Sequence, residues 1–175
     1  MDVKKMGNKE PGKIRRERQN FTIDYSDVMY THKFRALIRH TISDTSWIVR
    51  KLGPRFAVKV SYDTPDYELV GWKLAEDLFL FGIEDHCANT IGYIEVPSTA
   101  GRLVVTREGC EPEDIPNLKK DNRVLRLIHS TLTGKAHLQS VTVPKLWLDI
   151  DEKGYAVAME GQVNSASSWT VTEIS

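Results

Sequence analysis

Cysteine is almost absent: Cys87 and Cys110 are the only two in 175 residues, too few for a disulfide framework or a thiolate ligand set. Both are read as reduced. Long apolar runs are missing as well. No stretch approaches the roughly 18 residues a membrane-spanning helix needs, and the opening MDVKKMGNKEPGKIRRERQ has no apolar run of the secretory kind. The expectation is a soluble chain made in the cytosol. The Met-Asp start offers no glycine for myristoylation and the Glu-Ile-Ser end no cysteine for prenylation, so attraction to a membrane has to come from side chains. No Gly-rich phosphate loop or paired-carboxylate pattern stands out. The chain is therefore read as non-enzymatic, with no cofactor, no metal and no catalytic residue.

Net charge is also absent, yet only in the sum. Residues 1–59 carry 14 Lys or Arg against 6 Asp or Glu, and residues 60–175 carry 10 against 18, so the halves hold +8 and −8. A basic half attracts nucleic acid or anionic headgroups, and an acidic half can meet the basic half of a neighbour. The competing reading is that the halves fold against one another and cancel. The cations are densest at the start: Lys4, Lys5, Lys9, Lys13, Arg15, Arg16 and Arg18 stand against three acids in the first twenty residues, with Gly7, Pro11 and Gly12 as helix breakers. Such a segment buries too little to offset its ordering. Residues 1–20 are expected to be a disordered basic arm, and residues 21–175 a single domain.

Within that domain, Phe21, Ile23 and Tyr25 alternate as in a strand, and FAVKVSY at 56–62 is a cleaner one, turned by DTPD. Between them Phe34, Leu37, Ile38, Ile42, Thr45, Ile48, Val49 and Leu52 fall at helical spacing up to Gly53 and Pro54. That spacing predicts a helix whose outer face carries Lys33, Arg35, Arg39, His40, Arg50 and Lys51, with Arg35 and Arg39 able to extend the basic arm. Val70, Leu74, Leu78 and Phe81 predict a second helix over 67–82, capped by Asp66. TIGYIEV and RLVVTRE read as a hairpin over 90–108, and VTVPKLWLDI with YAVAMEGQV as another around DEKG. NRVLRLIHSTLTG at 122–134 leans towards strand or mixed structure. The fold class expected from this order is α+β: an antiparallel sheet packed with two or three helices.

Three local patterns invite sharper chemistry. Asp149, Asp151, Gly154 and Glu160 match positions 1, 3, 6 and 12 of a calcium loop, but Lys153 stands where an oxygen ligand belongs and the flanks alternate as strands. A hairpin turn is the better reading. His86 beside Cys87 resembles a base and nucleophile, although adjacent residues seldom face one reacting atom. His32, His40, His129 and His137 have no ligand spacing and read as surface or satisfied core residues. GCEPEDIPN, with Glu111, Glu113 and Asp114, reads as an acidic surface loop suited to a neighbour's basic arm.

The order of basic arm, NFTIDY, then KFRALIRHTISD, then a sheet with a second helix resembles the matrix proteins of rhabdoviruses. The likeness is clearest over residues 20–44. It implies a small α+β domain that condenses the nucleocapsid, polymerises, lines the inner face of the viral envelope and drives budding. Animal members carry Pro-Pro-x-Tyr or Pro-Thr/Ser-Ala-Pro late motifs in the arm; this chain has neither, which makes a shorter member such as those of plants the more natural comparison.

Charge and resemblance together give the expected function: a structural protein that self-associates through Glu111, Glu113 and Asp114 and bridges nucleocapsid and anionic membrane through Lys4 to Arg18, Arg35 and Arg39. Its expected location is the virion and, in the host, cytoplasm and peripheral membrane. The alternative is a small RNA-binding protein such as a silencing suppressor, with Tyr25, Tyr30, Trp47 and Phe56 available to stack on bases.

Overall fold

A computed structural model describes residues 28–29, 32–108, 114–115 and 120–174. The expected α+β fold is overturned: these residues form strands, with no α-helix among them. In chain order they are β1 (Val28–Met29), β2 (His32–His40), β3 (Ser46–Leu52), β4 (Arg55–Ser61), β5 (Leu69–Ala75), β6 (Leu78–Asp85), β7 (Thr90–Glu95), β8 (Gly101–Arg102) and β9 (Val104–Glu108). There follow β10 (Asp114–Ile115), β11 (Leu125–His129), β12 (Ala136–Ser140), β13 (Leu146–Ile150), β14 (Ala156–Glu160) and β15 (Trp169–Ile174), the last preceded by a 3-10 turn at Ser165–Ser167.

Seven strands close on themselves as an antiparallel barrel in the order β2, β3, β4, β9, β7, β6, β5 and back to β2. Closure removes the open edges that a sheet otherwise exposes. Outside the ring, β15 lies along β2, and β6 also pairs with β11, which leads through β12, β13 and β14 to β8. This second sheet folds back onto the barrel, where the Val60 N–H donates to Gly154 O (2.8 Å) and the Leu103 N–H to Ala156 O (3.1 Å).

The predicted helix over 34–52 is two strands and a turn. The inward positions are Phe34, Ala36, Ile38 and His40, every second residue and all buried, while Arg35 and Arg39 alternate between them. The supposed stripe is broken by Thr-Ile-Ser-Asp-Thr, whose short polar side chains favour turns over helix interior. There Asp44 sits at φ 60° and Ile42 is exposed. Gly53 and Pro54 are a two-residue hairpin loop, with Gly53 at φ 62°.

The predicted helix over 67–82 is the hairpin β5–β6. Phe79, Phe81 and Ile83 point into the main core inside the barrel, and Leu78 and Leu80 into a second core with Val70, Trp72, Leu74, Tyr93, Val124 and Val141. Both faces are buried, so the period of two disappears from the sequence. Strand β6 also approaches β7 closely: a Cβ on Gly82 would lie 2.5 Å from the carbonyl oxygen of Gly92.

The remaining hairpins lie where the sequence places them. The strand expected at 56–62 is β4, and 90–108 folds back as β7 and β9. Residues 146–160 pair as β13 and β14, and 122–134 contains β11. The strand expected at 21–25 lies outside the described residues.

Candidate functional site

The β3–β4 hairpin presents a cationic face. Residues directly opposite in an antiparallel pair share a face, so Leu52 with Arg55, Arg50 with Ala57 and Ile48 with Lys59 form successive rows. The partner of Ala57 on β9 is Val104. At the next strand Tyr155 carries the Arg102 guanidinium at 3.7 Å and the Lys59 ammonium at 5.1 Å. Leu52 and Val104 are 48% and 45% exposed. Lys51 and Arg55 are exposed and form no ion pair with any described residue. The result is an exposed leucine at the hairpin tip with Arg55 opposite it and Lys59 and Arg102 behind, while Lys51, opposite Phe56, lies on the other face of the hairpin.

Arg102 is held by the β13–β14 turn. Asp151 accepts from Arg102 Nε at 3.0 Å and from the backbone N–H groups of Lys153 and Tyr155, both at 2.9 Å. Burial tends to raise the Asp151 pKa, but the Tyr155 N–H, the Arg102 side chain and the Lys153 N–H outweigh it and hold the carboxyl below the ordinary aspartate value. The calcium reading of this turn therefore fails on chemistry. Asp151 is committed to three donors, Asp149 accepts from the Ile150 N–H, Glu160 pairs with Lys145, and no group of metal-ligating residues occurs among the described residues.

The expected site residues are dispersed. Lys4, Lys5, Lys9, Lys13, Arg15, Arg16, Arg18, Glu111 and Glu113 lie outside the described residues, and Asp114 lies on β10 opposite Met29. Arg35 and Arg39 point outward on β2 as half-exposed side chains, yet Arg35 pairs with Glu68 at 2.5 Å and Arg39 with Asp44 at 3.2 Å. They are neutralised cations and do not continue the Arg55–Lys59 face. Trp47, proposed as a stacking residue, is buried, and Phe56 packs against Tyr67 in the core. Lys51 and Arg55, both exposed, sit beside the Gly-Pro pair that sequence reasoning took for a helix end; a Gly-Pro loop between two β-rich runs was the available signal.

A cleft of about 380 Å³ opens in the barrel wall. Its cause is a change of partner: β2 pairs with β3 at Arg39, then with β5 from Arg35 to His32, and Ala36, Leu37 and Ile38 pair only with β15. Where β2 and β3 part, the connection from Asp63 to Leu69 covers the gap. The floor is apolar, with Ala36, Trp47, Ile48 and Leu69; the rim holds Asp63, Asp66 and Glu68, partnered by Arg50 (3.3 and 3.7 Å) and Arg35. Trp47 is 3% exposed, and its buried indole Nε1 has no hydrogen-bond partner among the described residues. A buried donor left unpaired costs about 1–3 kcal/mol.

The histidines are structural where buried. His137 Nδ1 donates to Ser167 O at 3.0 Å and its Nε2 meets Thr133 Oγ1 at 2.7 Å. His40 Nε2 donates to Ala166 O, and its Nδ1 meets Ser43 Oγ at 2.8 Å. Together they grip successive carbonyls of the turn that launches β15. Cys87 is exposed in the β6–β7 turn. No helix among the described residues is long and apolar enough to cross a membrane. Set against known proteins, the chain matches no family model and no curated protein.

Proposed function

We propose that this chain is a non-enzymatic assembly protein of matrix type, which docks peripherally on an anionic membrane surface through the β3–β4 hairpin face and associates with copies of itself. The observation that carries the reading is the exposed Leu52 opposite the exposed Arg55 at the hairpin tip, with Lys59 on the same face. A cation near an anionic bilayer contributes about 1 kcal/mol, so Arg55 and Lys59 together supply about 2 kcal/mol, and insertion of Leu52 adds an apolar contribution. An apolar side chain beside basic residues combines burial in the headgroup region with attraction to anionic lipid, the two terms that set interfacial binding strength.

The +8 on residues 1–59, half of it in the first twenty, adds a second cationic segment to the same molecule. On this reading the protein bridges membrane and nucleocapsid, on the inner face of an envelope and in the host cytoplasm. The resemblance that suggested the role drew on a helix over 34–52, and those residues are strands; the role now rests on the cationic face and the charge distribution.

The alternative is RNA binding by the same cations. It is less favoured because Tyr155, the aromatic of this face, is engaged by Arg102 and Lys59, whereas single-stranded RNA is held by aromatics open to stacking. Cosedimentation of the full chain with anionic vesicles, neutral vesicles or duplex RNA at matched salt tests the choice. Binding to anionic vesicles that weakens as salt rises is expected. Binding to RNA with indifference to vesicles would replace this reading with the alternative.

A further inference from the structure

The run of paired strands has two ends, and they differ. One end is β8, two residues long, with Arg102 held by Asp151. The other is β15, six residues paired to β2 without a register shift and to no other described strand. Sheet edges are ordinarily blunted by brevity, lysine, proline or a bulge. β8 is short, whereas Trp-Thr-Val-Thr-Glu-Ile has none of these devices and is rich in β-branched residues. Its one charged residue, Glu173, meets His32 Nε2 at 2.9 Å. The backbone groups that face outward follow from the ladder. The Thr41 N–H donates to Ser168 O at 3.0 Å, while the His40 N–H turns away to Thr45 O at 2.7 Å. Antiparallel pairs alternate between bonded and non-bonded positions, so Thr170, Thr172 and Ile174 bond to β2, and Val171 and Glu173 direct their N–H and C=O groups to the open edge. Neither has a backbone partner there among the described residues.

We propose that the open edge of β15 pairs antiparallel with β15 of a second copy, about a two-fold axis at Thr172. In this register Val171 and Glu173 of the second copy exchange both their N–H···O bonds, the symmetric pair does the same, and Thr172 faces its own counterpart. The other registers fail. Val171 opposite Val171 places Glu173 against Trp169, which is fully buried, and Glu173 opposite Glu173 sets two carboxylates face to face. With Thr172 on the axis the overlap spans residues 170–174, clear of Trp169, and Glu173 lies opposite Val171. The contact is isologous and closes as a dimer, which doubles the number of β3–β4 faces available to one surface. The inference rests on the self-association half of the proposed function and gives it a place, on β15 rather than at Glu111, Glu113 and Asp114.

The test is analytical ultracentrifugation of the full chain, with cross-linking to read the register. The wild-type chain is expected to dimerise to the same extent at low and high salt, because main-chain bonds are not screened as exposed ion pairs are. Thr172→Lys, at an exposed position, sets two ammonium groups across the axis, and Glu173→Pro removes an outward N–H that β2 does not use. Each is expected to weaken dimerisation about tenfold or more, with the Thr172→Lys chain keeping the wild-type unfolding midpoint. Glu173→Gln keeps the N–H and is expected to dimerise as wild type. In a background of Cys87→Ser and Cys110→Ser, Thr172→Cys is expected to cross-link to a covalent dimer under copper-phenanthroline oxidation. Thr170→Cys, which faces Ile174 of the second copy, is not. Self-association that ignores Thr172→Lys and Glu173→Pro, that dissolves as salt rises, or that cross-links equally at both positions would overturn the edge pairing and leave the self-association reading standing. A chain that stays monomeric at every concentration would overturn both. Flotation of the Thr172→Lys chain with anionic vesicles reads the membrane half of the proposed function separately.

Discussion

Two hairpins of the same barrel, β5–β6 and β3–β4, bury their faces differently. In β5–β6 both faces are occupied: Phe79, Phe81 and Ile83 fill the barrel, and Val70, Trp72, Leu78 and Leu80 fill the second core. In β3–β4 one face holds Trp47, Val49, Val58 and Val60 in the barrel, and the other carries Arg50, Arg55, Lys59 and an exposed Leu52. Stability is concentrated in the first hairpin and surface chemistry in the second. A strand covered on one side only is free to carry charge on the other, so a function based on surface attraction falls on β3–β4.

The sharpest way to break this contrast is to truncate one leucine in each hairpin. Leu80→Ala, at a fully buried position, is expected to cost about 2–5 kcal/mol in urea unfolding. Leu52→Ala is expected to stay within about 0.5 kcal/mol of wild type. Similar losses at both sites would mean that the tip of β3–β4 is packed rather than presented. Gly82→Ala probes the tight approach of β6 to β7, where the added Cβ meets Gly92 O at 2.5 Å. Overpacking of this kind costs about 1–3 kcal/mol, seen as a lowered unfolding midpoint.

A smaller effect is expected at the support of the cationic face. Asp151→Ala removes the acceptor of Arg102 and of two backbone N–H groups, and a loss of about 1–2 kcal/mol is expected. The carboxyl is held below its ordinary value, so its stabilisation is fully present above the unfolded value of about 3.9. It is lost as pH falls through the folded value. The difference between wild type and Asp151→Ala should therefore be constant from neutral pH down to about pH 5 and shrink in stronger acid. A difference that grows on acidification would contradict the assigned contacts.

The same contrast explains what could be read in the sequence. Strand β4 was legible because Phe56, Val58 and Val60 alternate with Ala57 and Lys59, one side in the core and one outside. The β13–β14 hairpin was legible for the same reason, with Leu146 and Leu148 against Ala156 and Ala158. β5 and β6 were not. When both faces are buried, alternation vanishes, and Val70, Leu74 and Leu78, which all belong to one core, mimic a helical stripe at intervals of four. β2 was hidden differently: two of its four inward positions are Ala36 and His40, which a count of large apolar residues passes over.

The candidate site was legible only as charge. The excess of cations in the first 59 residues was plain, but which of them face solvent depends on tertiary partners. Arg35 and Arg39 are matched by Glu68 and Asp44, and Lys51 and Arg55 are not matched among the described residues. The cleft was invisible because it arises where β2 exchanges β3 for β5, a property of register rather than of any motif.

The central claim, that the β3–β4 face docks on an anionic membrane, is tested most directly by vesicle flotation of the full chain beside Leu52→Asp and the double variant Arg55→Glu with Lys59→Glu. The account predicts that each variant keeps the wild-type unfolding midpoint and loses at least tenfold in partitioning to anionic vesicles, with the double variant also losing most of its salt dependence. Wild-type partitioning by both variants would contradict it and would assign the attraction to cations elsewhere in the chain.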